Sequence, residues 1–133
     1  MSSKLIIGHS EGKISDKNRI FLPSFTLYYP SEEIIFTKIT FEEQQALKVT
    51  AYKRYLDIIE RFRNLRNNAR SLEEYNRFSL EIEKICFNLQ AISEVDAQRR
   101  VALPKYSIEE YNWNVGDTLL YDGLGDSVLI RKK

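Results

Sequence analysis

One eight-residue pattern occurs twice in this 133-residue sequence, and the repeat is the strongest constraint on how the chain can fold. The first copy reads DKNRIFLP at 16–23, and the second reads AQRRVALP at 97–104. Both run from polar and basic residues into Arg, a β-branched residue, another apolar residue, Leu and Pro, so that Arg19 aligns with Arg100. Two copies are too few for a solenoid. The repeat therefore predicts one domain, 1–133, with two related halves.

The sequence around the two copies also matches. Each copy follows a short apolar strand and ends in a proline, Pro23 or Pro104, before an aromatic residue and a strand with an acidic start, EEIIF or DTLLY. Because proline cannot donate to a sheet ladder, both prolines are interpreted as structural residues that end strand pairing. The repeated unit is strand, polar loop, strand, proline turn and strand, with repeat one at 4–50 and repeat two at 91–131.

The segment between the repeats, 51–90, has helical periodicity. Asn67 and Asn68 divide it, and Ser71 with Glu74 forms a capping box that starts a second helix. The break is short, so we expect an antiparallel helical hairpin. Such a hairpin buries both apolar faces only against the sheet or a second chain. Apolar residues recur at spacings of three and four: Tyr52, Tyr55, Leu56, Ile59, Phe62 and Leu65, then Tyr75, Phe78, Ile82, Ile85 and Leu89.

The charged residues of the hairpin have two interpretations. The first is a solvated face with salt pairs between neighbouring turns. The second is a partner surface formed by Arg61, Arg63 and Arg66.

Composition limits the function classes. Net charge is only +1, so any nucleic-acid contact must come from a local basic cluster. No apolar run approaches the roughly 18 residues that span a bilayer, and the N-terminal apolar patch is too short for a signal peptide. Cys86 is the only cysteine, which excludes a disulfide framework and a cysteine zinc site within one chain. We expect a cytoplasmic protein with no metal site and no membrane contact.

The sequence offers little for catalysis. Any histidine-dependent catalytic unit would have to use His9, the only histidine, which stands at the start of an exposed-looking strand. DGLGD at 122–126 lacks the Lys-Ser/Thr pair and the helix of a phosphate loop, so it predicts a turn. No acidic residue of the helices is paired with a plausible base. We therefore predict that the protein is not an enzyme, with no catalytic residues, no cofactor and no small-molecule substrate.

The polar loop before each repeated arginine is the candidate binding site. Arg and Lys hydrogen-bond phosphates, and Arg, Asn and Gln read base edges in the major groove. A competing interpretation is that Asp96 pairs with Arg100 and merely holds its turn, leaving Gln98 and Arg99 free. The candidate DNA-binding residues are Lys13, Lys17, Asn18, Arg19, Gln98, Arg99 and Arg100, and the candidate structural residues of the motif are Ser15, Asp16, Pro23, Asp96 and Pro104.

A polar loop leading to Arg, an apolar run and proline is thus present twice, and the sequence resembles the MraZ family of bacterial transcription factors, a branch of the AbrB/SpoVT-like swapped-hairpin proteins, whose members carry two copies of a D-x-x-x-R motif followed by such a run. DAQRRVALP at 96–104 matches the motif in full. SDKNRIFLP at 15–23 matches except that Ser15 stands where the family has Asp. The ending VGDTLLYDGLGDSVLI at 115–130 also resembles the family's final turn and strand, so the resemblance covers nearly the whole chain.

The resemblance implies an α+β fold, a pseudo-two-fold β-barrel built from two β-loop-β repeats with the helical hairpin inserted. It implies a ring-like homo-oligomer that is cytoplasmic and nucleoid-associated. Such a ring binds tandem repeats of double-stranded DNA upstream of the division and cell-wall gene cluster and represses its transcription.

Two departures from the family pattern bear on the site. Ser15 cannot form the Asp–Arg pair, so Arg19 is freer to contact DNA unless Asp16 replaces the missing carboxylate. The family usually has Gly before the motif arginine. Asn18 readily takes the left-handed backbone conformation in that place, whereas Arg99 takes it at some cost.

Two other functions remain open at this point. An oligomeric protein-interaction or structural module that has lost DNA binding fits the aromatic content of eight Tyr, seven Phe and one Trp. An antitoxin-like relative with a protein partner fits less well, because such proteins usually carry one motif copy and a disordered tail.

Overall fold

The protein has an α+β fold in the structure, a computed structural model that describes residues 5–133. Lys4, where repeat one was predicted to begin, lies outside the described residues. The strands are β1 His9–Lys13, β2 Arg19–Phe21, β3 Glu33–Phe41, β4 Gln44–Ala51, β5 Leu89–Glu94, β6 Arg100–Ala102, β7 Thr118–Gly123 and β8 Val128–Lys132. The helices are α1 Tyr52–Asn67, α2 Leu72–Phe87 and α3 Lys105–Tyr111.

Six strands form one antiparallel sheet in the order β1-β7-β8-β4-β3-β5. This sheet is open, so the predicted closed barrel is wrong for the described residues. Its two edge strands, β1 and β5, do not pair with each other. The chain instead leaves each edge strand through a polar loop and enters β2 or β6, which pair with each other as a separate ribbon.

The strand order is symmetric. Exchanging each strand of repeat one with its counterpart in repeat two (β1 with β5, β3 with β7, β4 with β8) gives the same order read from the other end. The hydrogen bonds beside the sheet correspond in the same way. The amide of Ser31 donates to the carbonyl of Val95 at 2.8 Å, and the amide of Gly116 donates to the carbonyl of Ile14 at 2.8 Å. In the reverse direction, the amides of Val95 and Ile14 donate to the carbonyls of Glu32 (2.9 Å) and Asp117 (3.0 Å). The two repeats therefore build two equivalent halves.

The two copies of the repeated pattern pair with each other in the ribbon. Ile20 lies opposite Val101 at its centre, and both side chains are buried. Two further bonds extend the ribbon symmetrically. The amide of Leu22 donates to the carbonyl of Arg99, and the amide of Leu103 donates to the carbonyl of Asn18, both at 2.9 Å. Packing these four apolar side chains closes the main core.

The predicted helical hairpin forms, but it spans 52–87 rather than 51–90, and Leu89, expected on its second helix, begins β5. The hydroxyl of Ser71 accepts a hydrogen bond from the amide of Glu74 at 3.1 Å, which satisfies one of the free N–H groups at the start of α2. Tyr55 and Ile59 of α1 pack on Ile35 of β3 in a second, smaller core. No described residue of α2 is buried, and several of the hairpin's apolar side chains are exposed: Leu56, Leu65, Leu72, Tyr75, Leu80 and Phe87.

The sequence reading differs from the structure at three places. The short apolar strand expected before the first copy is replaced by β1, His9–Lys13, which is preceded in the described residues only by a bridge from Ile6 to Gly125. The sequence reading missed β4, because the turn into this strand uses Glu42 and Glu43 at positive φ rather than the usual Asn or Gly. It also read repeat two as wholly extended.

Helix α3 was not predicted, because the sequence of repeat two was expected to be extended throughout. It begins directly after Pro104 and buries Ser107, Ile108 and Tyr111. Tyr111 follows Ser107 by four residues and Ile108 by three, the spacing of one helical face. At seven residues the helix is too short for periodicity to separate it from a strand. In residues 5–133, no helix has both the length and the apolar character needed to cross a membrane.

We expect Ser71→Ala to lower the free energy of unfolding by about 1 kcal/mol, because the substitution removes the side-chain acceptor that caps α2. Urea unfolding at a fixed protein concentration measures the change. Ser79→Ala, inside the same helix, is the matched control and should cause no loss, because alanine has the higher helix propensity. An equal loss in both variants would contradict a capping role.

Candidate nucleic-acid interface

The outer face of the ribbon formed by β2 and β6 carries both motif arginines. Side chains alternate along a strand, so the burial of Ile20 and Val101 places Arg19, Phe21 and Arg100 on the opposite face. Arg19 pairs with Ala102, two residues along β6 from Arg100, so the two arginines are diagonal neighbours about 8 Å apart. Phe21 is 55% exposed between them, and Arg100 lies 5.7 Å above its ring.

In the second loop, Asp96 holds Arg100 in place. Its carboxylate accepts bonds from the amides of Arg100 (2.8 Å) and Gln98 (2.9 Å), and from Nε of Arg100 at 3.0 Å. The bond from the Arg100 amide, with those from the Gln98 amide and the Arg100 guanidinium, lowers the pKa of Asp96. The Asp96–Arg100 pair that the sequence suggested is therefore formed in the structure.

Arg99 does not stay free, and this part of the prediction is wrong. Its Nε donates to the carbonyl of Tyr28 at 3.1 Å, and a terminal nitrogen donates to the carbonyl of Pro23 at 3.4 Å. Its guanidinium also lies 5.9 Å from the centre of the Tyr29 ring. Arg99 is thus directed into the other half of the protein, because its position at the end of the ribbon faces the segment that follows β2.

In the first loop, Ser15 leaves Arg19 without the equivalent partner. The Ser15 hydroxyl donates to the backbone carbonyl of Arg19 at 2.8 Å and closes the loop. Asp16 forms no ion pair with Arg19, so of the two alternatives the sequence left open, Asp16 does not replace the missing carboxylate. Nε of Arg19 is buried and has no hydrogen-bond partner among the described residues. The Nε atoms of Arg66 and Arg131 are in the same state, whereas Nε of Arg100 donates to Asp96.

Both loops use the left-handed backbone conformation before the motif arginine. Asn18 has φ 55° and Arg99 has φ 62°, in agreement with the left-handed conformation expected at the position where the resembled family usually has Gly. Lys17 adds a further positive φ of 62° in the first loop. These conformations direct the loop backbone sharply into β2 and β6, which fixes where the flanking side chains emerge.

The remaining predicted site residues lie at the surface around the two loops. Lys13 ends β1, Lys17 and Gln98 are exposed, and Asn18 is half-buried. The carbonyl of Arg99 accepts from the amide of Leu22, so the second loop ends opposite Leu22, whereas the first loop ends at Asn18. The two loops therefore lie at opposite ends of the ribbon, four residues or about 14 Å apart. The structure therefore distributes these predicted residues over two loops and one connecting face, rather than in one cluster.

Pro23 and Pro104 take equivalent positions after the ribbon. The carbonyl of Pro23 accepts from the amide of Thr26 at 3.0 Å, and that of Pro104 accepts from the amide of Ile108 at 3.1 Å. Each proline thus starts a helical turn, a 3₁₀ turn at 24–26 in the first half and α3 in the second. The second half continues as a longer helix, and this makes the surroundings of the two loops unequal.

Groups with catalytic or metal-binding potential are sparse in the described part of the chain. His9 is exposed at the start of β1, and its Nδ1 lies 2.6 Å from a carboxylate oxygen of Asp122. Within residues 5–133, no three His, Cys, Asp or Glu side chains are grouped to hold a metal ion. Cys86 is exposed on α2.

A scan against protein-family models finds no match to this sequence, and a search of the curated proteins finds none either. The resemblance to the MraZ family therefore rests on the two motifs and their spacing.

We expect Asp96→Asn to lower the free energy of unfolding near neutral pH, because it removes the pairing of the carboxylate with Arg100. The folded pKa of Asp96 is lowered, so its contribution is present above the ordinary value of 3.8 and disappears as the pH falls through the folded pKa. Urea unfolding of both proteins between about pH 6 and pH 2 should show the difference narrowing below that value. A difference that stays constant over this range would contradict a role of the charge.

Proposed function

We propose that the protein is a sequence-specific DNA-binding transcriptional regulator that acts as a homo-oligomer. Its DNA-binding surface is the outer face of the β2–β6 ribbon together with the loops at its two ends. The observation that carries this proposal is the outer face of the ribbon, where Arg19 and Arg100 lie beside the exposed ring of Phe21 and Arg19 has no carboxylate partner among the described residues. A phosphate at the Arg19 guanidinium would supply the negative charge that Asp96 supplies to Arg100 in the other half.

The dimensions of the ribbon suit a DNA duplex. The two loops are separated by about 14 Å, a distance similar to the major-groove width of roughly 12 Å. Lys13, Lys17 and Asn18 lie at one end of the ribbon, and Gln98 lies at the other. Contacts from both ends would place Arg19, Arg100 and Phe21 between them. The lysines and arginines would bind phosphates, while Asn18 and Gln98 have the amide groups that read base edges.

Arg99 has a structural role in this proposal rather than a DNA contact. Its guanidinium is already bonded to the carbonyls of Tyr28 and Pro23. Arg100 remains on the outer face, although Asp96 offsets part of its charge. The first loop is thus the stronger phosphate-binding end, and the second loop chiefly positions the ribbon.

Assembly of several subunits would give such a small surface a useful affinity. The exposed apolar side chains of α1 and α2 offer a face for subunit contacts, with Phe87 85% exposed and Leu72 75% exposed. When subunits contact tandem DNA sites together, avidity raises affinity by roughly 10² to 10⁴. The motif resemblance favours a ring that represses the division and cell-wall gene cluster and associates with the nucleoid in the cytoplasm. A swapped-hairpin fold of the AbrB and MraZ kind belongs to the same proposal.

Binding to duplexes that tile the DNA upstream of the protein's own gene tests the proposal. We expect fluorescence anisotropy to show tight binding to one duplex, lost when its sequence is scrambled. The logarithm of the affinity should fall with the logarithm of the salt concentration, with a slope of about −0.9 per phosphate contact. Equal binding to the scrambled duplex, or an affinity that does not depend on salt, would contradict it.

Ser15→Asp tests the role of Arg19 directly. The new carboxylate should pair with Nε of Arg19, as Asp96 pairs with Arg100, and compete with the phosphate. We expect DNA affinity to fall about tenfold, which equals about 1.4 kcal/mol. Ala97→Asp adds the same charge to the exposed second loop and is the matched control, with a smaller expected loss. Equal losses in the two variants would mean that only the total charge matters.

The alternative function is an oligomeric protein-interaction or structural module without DNA binding. The exposed apolar residues of the hairpin favour this function, because a protein interface would bury them without any contact with DNA. The two functions differ in the duplex experiment. A stable oligomer by light scattering, combined with no preference for any duplex over its scrambled form, would favour the module.

A further inference from the structure

The two equivalent halves contain one filled cleft and one open cleft. Each cleft lies between the end of one loop and the segment that follows the opposite ribbon strand. The filled cleft is bounded by Pro23, Tyr28 and Tyr29 and contains the side chain of Arg99. The open cleft lies at the equivalent position of the other half, beside Asn18.

The backbone establishes which residues of the two clefts correspond. Leu27 (φ 59°) and Asn112 (φ 57°) both end their helical turns in the left-handed conformation. Two residues later, the amide of Tyr29 donates to the side chain of Glu32 at 3.0 Å, and the amide of Asn114 donates to the side chain of Asp117 at 2.8 Å.

The residues enclosed by these matching turns are therefore equivalent. Tyr28 corresponds to Trp113, and both side chains are buried. Asn18 corresponds to Arg99, since each offers its carbonyl to the ribbon leucine of the other copy.

The open cleft exists because Asn18 is too short to do what Arg99 does. It is a cavity of about 580 Å³. Its floor is apolar and buried, formed by Leu103, Ile108 and Trp113, and its rim is polar and exposed: Lys17, Lys105, Glu109, Asn112 and Asn114. No residue in 5–133 donates a hydrogen bond to the carbonyl of Trp113, the equivalent of the Tyr28 carbonyl that accepts from Arg99.

We propose that the open cleft binds a guanidinium group supplied by another molecule. In the filled cleft, the planar guanidinium of Arg99 bonds to two carbonyls and lies against an aromatic ring. By the correspondence of the two halves, the carbonyl of Trp113 takes the place of the Tyr28 carbonyl, the carbonyl of Pro104, which accepts from the amide of Ile108, takes the place of the Pro23 carbonyl, and Asn114 takes the place of Tyr29. The carboxylate of Glu109 on its rim complements a cation. This inference does not depend on DNA binding.

Two lysines on the same rim bear on which guanidinium ligand fits. Lys17 and Lys105 are exposed and flexible, and they repel a bare cation weakly because water screens them. They attract a ligand that also carries a carboxylate, such as free arginine. The guanidinium of an arginine side chain in a polypeptide, including a second copy of this chain, shares the same head group.

The fluorescence of Trp113 provides the measurement, because Trp113 is the only tryptophan and lies on the cleft floor. Ethylguanidinium chloride is the probe, and n-propylammonium chloride is the control with equal charge and no planar fork. We expect a saturable change in emission with ethylguanidinium and only the salt effect with propylammonium. Equal responses to the two cations, or saturation by inorganic phosphate in place of ethylguanidinium, would overturn the proposal.

Asn18→Arg should fill the open cleft from within the chain, as Arg99 fills the other. We expect the ethylguanidinium concentration at half-saturation to rise at least about tenfold, whereas Asn18→Gln, the polar control, keeps the site open. Unchanged binding in Asn18→Arg would refute the correspondence between the clefts.

Glu109→Gln is a second, exposed variant that leaves the core untouched, and it should weaken ethylguanidinium binding about threefold or more by removing the rim carboxylate. Glu42→Gln, at the exposed turn between β3 and β4, is its control. Equal affinities of these two variants would contradict the cation site.

Two further titrations identify the source of the group. Tighter binding of L-arginine than of acetyl-Gly-Arg-Gly-amide supports a small molecule whose carboxylate meets the lysines. The reverse order supports an arginine side chain of a polypeptide. Failure of both peptide and amino acid to compete with ethylguanidinium would count against the cleft as a guanidinium site.

Discussion

The antiparallel pairing of β2 with β6 is the interaction on which the rest of the structure depends. These strands come from opposite ends of the chain, and their pairing buries Ile20 against Val101 and brings the two halves onto one core. It also fixes the loops, because Asn18 and Arg99 each give a carbonyl to the leucine of the other copy. A basic loop at either end of the ribbon is thus a consequence of how the core closes, and the outer face with Arg19 and Arg100 follows from strand alternation.

Small sequence differences within this symmetric frame produce unequal sites. Asp96 anchors Arg100, whereas Ser15 is too short and leaves Nε of Arg19 buried without a partner. Arg19 is therefore the motif arginine whose charge no carboxylate of the described residues offsets, and the proposed phosphate contact rests on this difference. The difference between Asn18 and Arg99 acts in the same way, since a long side chain closes one cleft and a short one leaves the other open.

The helical hairpin is tied to the sheet only through a small contact region. Tyr55 and Ile59 reach Ile35, while α2 buries none of its described residues within the chain. The outward apolar face is the part of the fold that a single chain does not satisfy. The exposed apolar face of the hairpin and the outer face of the ribbon are separate surfaces, so the proposed assembly and the proposed DNA binding would not compete.

Residue order alone is enough to predict the two-fold organisation, the hairpin with its Ser71 cap, and a residue before Arg19, Asn18, that readily takes the left-handed conformation. Each of these is local or is written as a repeat, so residue types in order are sufficient to predict them. Only the tertiary structure decided that the sheet stays open, that Arg99 bonds across to Tyr28 and Pro23, and that Asp16 does not replace the missing carboxylate. These outcomes depend on distances between residues far apart in the chain. The pairing of β2 with β6 sets those distances, and composition, periodicity and motif spacing do not encode them.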